Sequence, residues 1–205
     1  MTEIDARYAA ETASSEELAA CYLREGCETD AGLHAIATLH YRGGRTELEL
    51  GLRYAQSTNA EERATGADIL SQLGWSEKRF LDESVPVLIQ LLHDPVANVI
   101  RSAAIALGHR NDPRAIPTLL TLINHPSASV RYGVVAGLSN HDDPDAVTGL
   151  IALSGDPDDA IRDWATFGLG TMTTLDTPAL RDALVARLTD TDPETRGEAI
   201  IGLAR

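Results

Sequence analysis

The histidines are the residues of this chain best suited by type to bind a metal or act as a catalytic base, and four of the six are regularly spaced. His93 and His125 are 32 residues apart, and so are His109 and His141. A zinc site needs three or four ligands, and no fixed carboxylate pattern accompanies both pairs. Equal spacing is also what an internal repeat produces without any metal. We therefore expect no metal site and no cofactor.

Other signatures of catalysis are missing from the sequence. It contains no glycine-rich phosphate loop, no Gly-x-Ser-x-Gly nucleophile elbow, and no His-Glu-x-x-His or Cys-x-x-Cys motif. Cys21 and Cys27 are six residues apart, with no Cys or His partner at zinc-finger spacing. They are interpreted as two reduced thiols, partly buried in helices. The sequence thus predicts a protein that is not an enzyme.

An internal repeat of 31 residues underlies the regular spacing. In residues 62–70, 130–138 and 161–169, a small residue follows a shared Arg position by three places and Leu follows it by seven. Six copies align, and the Arg column holds Gly32, Arg63, Ile100, Arg131, Arg162 and Arg196. Steps of 31, 37, 31, 31 and 34 residues predict insertions near 74–81 and 171–176. We expect the arginines to pair with Asp residues in the turns of adjacent units.

The repeated segments are predicted to be helices. Apolar residues recur three, four and seven places after the Arg column, which is the spacing of one helix face. A proline precedes four of these helices: Pro95, Pro126, Pro157 and Pro193. A second helix is predicted before each of these turns, over 85–93, 115–124, 146–154 and 178–189. Each unit is therefore helix, turn, helix, and the small residues let neighbouring helices approach closely.

Such units resemble HEAT-like repeats of the short bacterial type found in phycobilisome lyases. The resemblance rests on three features: the unit length, a turn with the sequence Asp-Pro followed by Val-Arg, and a helix of small residues that ends in Leu-Gly. The resemblance covers nearly the whole chain and implies an all-α fold, a right-handed α-solenoid of about six HEAT-like two-helix repeats. One domain is expected over 1–205, with an N-terminal cap and first repeat at about 1–45. The further repeats are expected at about 46–75, 82–110, 113–141, 144–172 and 177–205.

A narrower resemblance is carried by three short segments: Tyr41-Arg42-Gly43-Gly44, residues 161–167 and residues 198–203. They are similar to segments of the YibA-type HEAT proteins of enterobacteria. Members of that group are often encoded beside Rhs polymorphic toxins, which implies an immunity role. Short HEAT-like repeats also occur in bilin lyases of phycobilisomes, so the fold alone leaves an enzyme possible. This sequence carries no positive residue signature for such a lyase.

The net charge of −14 bears on the choice of partner. HEAT-like arrays include DNA glycosylases whose site holds Asp and Trp, and Asp163-Trp164 could be mistaken for such a site. Binding a duplex requires Lys and Arg against the phosphates, whereas here 17 basic residues stand against 31 acidic ones. We therefore expect no nucleic acid partner. Residues 1–7 hold no apolar signal segment and no run of 18 apolar residues occurs, so a cytoplasmic protein without a membrane partner is expected.

Acidic residues are most concentrated between His141 and Asp163. Seven of them face the single Arg162: Asp142, Asp143, Asp145, Asp156, Asp158, Asp159 and Asp163. One interpretation is that most of these residues cap helices and solvate a loop edge. The other is that this edge attracts a basic partner, such as a toxin domain that itself binds nucleic acid.

The candidate binding surface is predicted on the second helix of each unit, because this helix usually lines the concave face in HEAT-type repeats. Three of the nine aromatic residues collect at outward offsets of the fourth and fifth copies: Tyr132, Trp164 and Phe167. The predicted protein-binding residues are Arg101, His109, Tyr132, Asn140, Asp163, Trp164 and Phe167, with Asp68 and Glu198 at the border. Trp164 and Phe167 could instead fill a gap between repeats as ordinary core.

Two classes of function follow. The first is a non-catalytic immunity protein that neutralises a cognate Rhs-type bacterial toxin through its acidic concave face. The alternatives are a bilin lyase-like enzyme and a generic assembly scaffold. The sequence stops at Arg205, directly after the apolar run 199–204, so we expect either a longer natural chain or a face covered by another chain. The oligomeric state is left open.

Overall fold

A computed structural model describes residues 12–205 of the chain. Over this range the chain forms twelve α-helices and no β-strand, which confirms the predicted all-α fold. The opening segment 1–7, which was expected to hold no signal sequence, lies outside the described residues. None of the helices in residues 12–205 combines the length and apolar character that crossing a membrane requires.

The helices belong to two compact units, Met1–Arg110 and Asn111–Arg205, called here the first unit and the second unit. The first unit contains α1 (Ser15–Glu25), α2 (Asp30–Arg42), α3 (Arg45–Ala55), α4 (Ala60–Ser71), α5 (Leu81–Leu91) and α6 (Ala97–Arg110). The second unit contains α7 (Ile116–Leu120), α8 (Ala128–Leu138), α9 (Pro144–Leu153), α10 (Asp159–Phe167), α11 (Pro178–Arg187) and α12 (Pro193–Leu203). Each odd-numbered helix packs on the even-numbered helix that follows it, and within each unit the even helices also pack side by side. The even helices carry the aligned Arg column. A single array over 1–205 stays a prediction.

Side-chain caps explain where several helices begin. An Asn or Asp side chain accepts a hydrogen bond from a first-turn N–H at the start of α4, α10 and α12, through Asn59, Asp158 and Asp192. These bonds satisfy donors that have no partner inside the helix. Helix α7 differs from its prediction over 115–124, because its regular part ends at Leu120. The chain then continues in tighter turns, in which the N–H groups of Thr121, Leu122 and His125 bond to the carbonyl three residues earlier.

The repeated arginines join consecutive turns. Three of the four arginines form a bidentate ion pair with an Asp of the next turn: Arg63 with Asp94, Arg131 with Asp156, and Arg162 with Asp190. In the middle pair, Arg131 Nε and Nη2 lie 2.7 and 2.8 Å from the two carboxylate oxygens of Asp156. The remaining nitrogen Nη1 donates to the carbonyl oxygens of His125 and Pro126 in its own turn. One guanidinium thus fixes two turns at once, which is the structural role expected of this column.

Glycine permits the closest helix contacts. A Cβ placed on Gly66 of α4 would lie 2.4 Å from the backbone nitrogen of Ala55 in α3. A Cβ on Gly202 of α12 would lie 2.5 Å from the Cα of Gly170. Both distances are too short for any side chain, so these positions require glycine for close packing.

The predicted insertion near 74–81 forms a tight loop with an unusual backbone. Trp75, Lys78 and Phe80 have φ angles of 52°, 47° and 60°, a region that residues with a Cβ seldom adopt. The buried guanidinium of Arg110 holds the loop by donating to the carbonyl oxygens of Leu73 and Arg79. The second insertion, near 171–176, follows a π-helical turn at Gly168–Met172. Both departures from the repeat thus lie between helices, as predicted.

Candidate functional site

Three predicted site residues form an aromatic cluster on α8 and α10 of the second unit: Tyr132, Trp164 and Phe167. The ring centroids of Tyr132 and Trp164 are 6.2 Å apart with an interplanar angle of 77°. Those of Trp164 and Phe167 are 5.8 Å apart at 82°. Both are edge-to-face contacts, which the quadrupoles of aromatic rings favour. The ring of Trp164 therefore contacts both of the other rings.

The exposure of these rings shows whether they lie at the surface or fill the core between repeats. Trp164 is 47% exposed, whereas Tyr132 and Phe167 are half-buried. Trp164 therefore does not fill a gap between repeats. Phe167 supports the indole from α10 and Tyr132 supports it from α8. A large apolar ring kept at the surface by two supports has the geometry of an interface anchor.

Several carboxylates of α10 and α12 lie close together. Asp163 precedes Trp164 on α10, and Glu194 and Glu198 of α12 lie close enough to act on it; we call these three residues the acidic rim. Burial raises the pKa of Asp163, and the like charges of Asp192, Glu198 and Glu194 raise it further. The Oδ1 atom of Asp163 is shielded from solvent and accepts no hydrogen bond from the described residues. This part of the surface holds an excess of poorly compensated negative charge.

Most other acidic residues between 141 and 163 have structural partners. Asp143 and Asp158 cap α9 and α10, and Asp156 pairs with Arg131. Asp142 accepts hydrogen bonds from Thr173 and Thr174 and so holds the second insertion. The capping interpretation therefore applies to most of this stretch, and Asp163 is its one member that belongs to the acidic rim.

Asn140 has a backbone role that the sequence prediction did not consider. It lies two residues beyond α8 with a φ angle of 64°, in the left-handed region that Asn tolerates better than most residues. Its side chain is exposed. The conformation alone accounts for Asn at this position, so its presence gives no evidence of binding.

The remaining predicted residues, Asp68, Arg101 and His109, belong to the first unit. Asp68 Oδ2 accepts a hydrogen bond of 2.9 Å from the Tyr22 hydroxyl of α1, and the Ser102 hydroxyl and Arg101 also stabilise its charge. Burial nevertheless raises the pKa of Asp68 to about 6. Asp68 is thus part of a polar network and is half-buried; its place at the border of the binding surface stays a prediction. His109 is exposed at the end of α6.

His40 extends this network into the core of the first unit. Its Nε2 lies 2.8 Å from the carbonyl oxygen of Asp68 and 3.4 Å from the Ser71 hydroxyl. Burial lowers the pKa of His40 to about 4, so the ring is neutral at physiological pH. We call Tyr22, His40, Asp68, Ser71 and Ser102 the polar network.

Sequence reasoning missed a second exposed tryptophan. Trp75, in the first insertion, is 45% exposed and stacks on Tyr41 with ring centroids 5.0 Å apart and planes 11° from parallel. The available signal was the insertion itself, because two of the nine aromatic residues, Trp75 and Phe80, fall inside it.

Cys21 and Cys27 are free thiols, the first half-buried and the second exposed. In residues 12–205 no group of three or more His, Cys, Asp or Glu side chains has a geometry that could hold a metal ion.

A family model described as HEAT repeats matches residues 85–170 and 149–205. The chain therefore belongs to the HEAT-repeat family, and the resemblance drawn from the sequence is confirmed. Among solved structures, it is similar to the X-ray structure of YibA from Escherichia coli, with 25% identity and a TM-score of 0.74. The match covers 100% of this chain and 75% of that one. No curated protein matches the chain.

Two further solved structures show the same fold at lower identity. One is a designed armadillo repeat protein in complex with peptide (KR)4, with 12% identity and a TM-score of 0.59. That match covers 94% of this chain and 99% of the designed one. The other is the complex of CpcE and CpcF of phycocyanin lyase from Nostoc sp. PCC7120, with 20% identity and a TM-score of 0.61. It covers 93% of this chain and 77% of that chain.

Proposed function

We propose that this chain is a non-catalytic HEAT-repeat protein that binds a basic protein partner through the aromatic cluster and the acidic rim. More specifically, we propose that it is an immunity protein that neutralises a cognate bacterial toxin of the Rhs type in the cytoplasm. The observation that carries the proposal is Trp164, which is 47% exposed yet held between two other rings. Apolar side chains that lie together at a surface, as these three rings do, often mark a site of protein binding.

The physical basis is the way interfaces concentrate their binding energy. Tryptophan and tyrosine dominate interface energetics because they bury large areas while few rotatable bonds become ordered. Here the indole is already positioned by Tyr132 and Phe167, so little further ordering is required when a partner binds. The acidic rim adds a charge that attracts a basic surface and disfavours an acidic one.

The net charge of the chain and a solved structure of similar fold support a basic protein as the partner. The net charge of −14 favours encounter with a cationic domain, and a toxin that acts on nucleic acid would carry one. A designed repeat protein of related fold is known in complex with the basic peptide (KR)4. The immunity role in particular is implied by the resemblance of the sequence to the YibA-type HEAT proteins, a group often encoded beside Rhs toxins.

The test is protection of cells from the toxin domain encoded beside the gene of this chain. Cells that produce this domain are expected to survive when they also produce the wild-type chain. Trp164→Leu is expected to abolish protection and to weaken binding of the purified toxin domain roughly 30-fold, which corresponds to about 2 kcal/mol. Isothermal titration calorimetry measures the affinity directly.

Trp75→Leu is the matched control, because Trp75 is 45% exposed but lies in the first unit. It should leave both protection and affinity unchanged. If Trp164→Leu and Tyr132→Ala both keep full affinity and protection, the proposed surface is wrong. If the toxin domain is bound but cells still die, the immunity role is wrong and binding of a protein partner remains.

A further inference from the structure

The helix pair α11 and α12 of the second unit exposes several large apolar side chains. Ile200 and Ile201 of α12 and Val185 of α11 are each more than half exposed. Leu188, which directly follows α11, is also exposed. Because α11 packs against α12, the four side chains lie on one helix pair. We call them the α11–α12 face.

The position of Ile200 is covered in the other copies of the repeat. It lies four places after the Arg column, where those copies hold Ile36, Ala67, Ala104, Val135 and Thr166. All five of these side chains are buried, whereas Ile200 is 60% exposed. In the fifth copy the following helix accounts for the difference, because α12 packs on α10. The α11–α12 face therefore continues the surface through which consecutive helix pairs contact each other, and no helix of residues 12–205 covers it.

The charge of this helix pair is nearly balanced. Residues 178–205 contain four arginines against five acidic residues, whereas the whole chain has a net charge of −14. A cationic partner therefore gains little attraction here, and two copies of the chain repel each other less at this helix pair than elsewhere. An apolar surface with little net charge is suited to contact with a second surface of the same kind.

We propose that two copies of this chain associate through the α11–α12 face. The other exposed large apolar side chains of the described residues lie singly on separate elements: Leu33, Trp75, Val96 and Trp164. The best match for the face is therefore the same face of a second copy. Two identical surfaces that contact each other form a closed dimer with two-fold symmetry. This inference goes beyond the proposed function and uses no residue of the aromatic cluster or the acidic rim.

Sedimentation velocity over a range of protein concentrations tests the dimer. The chain is expected to be mostly monomer at about 1 µM and mostly dimer at about 300 µM, as a small interface predicts. Raising the NaCl concentration from about 50 mM to about 500 mM should strengthen the dimer at least about twofold, because salt screens the repulsion between the two copies and leaves the apolar contact intact. Binding of a basic toxin domain should instead weaken under the same change.

Ile200→Glu tests which surface forms the dimer. It places like charges on both copies at the contact and should weaken the dimer at least about tenfold. Leu33→Glu is the matched control, because it makes the same change at an exposed residue of α2, and it should leave the dimer unchanged. Both variants should keep the circular dichroism and the Tm of the wild type. If Ile200→Glu lowers the Tm, Val185→Glu makes the same test from α11.

A chain that stays monomeric at every concentration would overturn the inference and would leave the face to a different partner. Equal effects of Ile200→Glu and Leu33→Glu would overturn it too, because association would then not involve the face. Species that keep growing beyond the dimer would exclude the pairing of identical faces. Trp164→Leu should leave the dimer unchanged, so an intact dimer that fails to protect cells would refute the proposed function and leave this inference standing.

Discussion

In the first unit, polar side chains of α1 and the even helices bond to one another, whereas in the second unit the even helices carry an exposed tryptophan. In the first unit, Tyr22 from α1 donates to Asp68 of α4, and His40 of α2 contacts the backbone of the same residue. In the second unit, Trp164 of α10 stays 47% exposed between two rings. Equivalent helices of the repeat thus carry a polar network in the first unit and an exposed tryptophan in the second. Function is expected where side chains of the repeat are left without an internal partner.

The first prediction concerns the Arg–Asp ion pairs that join consecutive turns in both units, called here the frame. It has the largest expected effect. Arg131→Ala removes the bidentate partner of Asp156, whose carboxylate side chain is only 5% exposed. It should lower the free energy of unfolding by about 3 kcal/mol, because a poorly solvated carboxylate loses its ion pair. Urea denaturation followed by circular dichroism measures this change.

Arg196→Ala is the control for this prediction. Arg196 donates to the carbonyl oxygens of Asp190 and Thr191, but it forms no ion pair with a carboxylate of the described residues. Its replacement should cost about 1 kcal/mol, the net contribution of ordinary hydrogen bonds. Equal costs for the two substitutions would mean that the ion pairs contribute nothing beyond their carbonyl contacts.

The sequence could predict this frame because every part of it repeats. Arg131, Arg162 and Arg196 recur at the start of equivalent helices, and a periodic pattern shows each contact several times. The aromatic cluster was predictable for the same reason, since the helical period places Tyr132 and Trp164 on one face. The aromatic residues of the fourth and fifth copies stand out because the other copies of the repeat lack them at the corresponding positions.

Contacts that occur once could not be predicted in this way. Tyr22 and Asp68 are 46 residues apart, and no periodic signal links a residue of α1 to the middle of α4. The positive φ angles of Trp75 and Asn140 also leave little trace in the sequence, because Trp in this region is rare and Asn is common in many other conformations. Asp68 and Asn140 were therefore assigned to a binding surface, although bonding partners or backbone geometry account for them.

The second prediction tests whether the polar network is shielded from solvent. It uses the dependence of the free energy of unfolding on pH. The pKa of Asp68 is about 6 in the folded protein and about 4 in an unfolded chain. Its protonation therefore favours folding at low pH, and this contribution is lost as the pH rises from about 4 to about 6. For His40 the folded pKa is about 4 and the unfolded value is about 6.5. Its stabilising contribution is present above about pH 6.5 and is lost as the pH falls toward 4.

The two variants should therefore differ from the wild type in opposite directions. Asp68→Asn should gain stability relative to the wild type as the pH rises from about 4 to about 7, and His40→Gln should gain it as the pH falls over the same interval. The expected change is about 2 kcal/mol in each case. Urea denaturation at several pH values measures it. Curves that stay parallel to that of the wild type would show that these groups are open to solvent, and the contrast between the units would then fail.

The third prediction has the smallest effect and separates backbone geometry from binding at Asn140. Asn140→Gly should keep or slightly raise the stability, because glycine adopts a φ of 64° without a steric cost. Asn140→Ala should be less stable than Asn140→Gly by about 1 kcal/mol, the cost of a Cβ in the left-handed region. Both variants should bind the toxin domain as the wild type does, since the aromatic cluster and the acidic rim are unchanged. A glycine variant that folds normally but loses affinity would place the Asn140 side chain in the interface, and the binding surface would then extend beyond the end of α8.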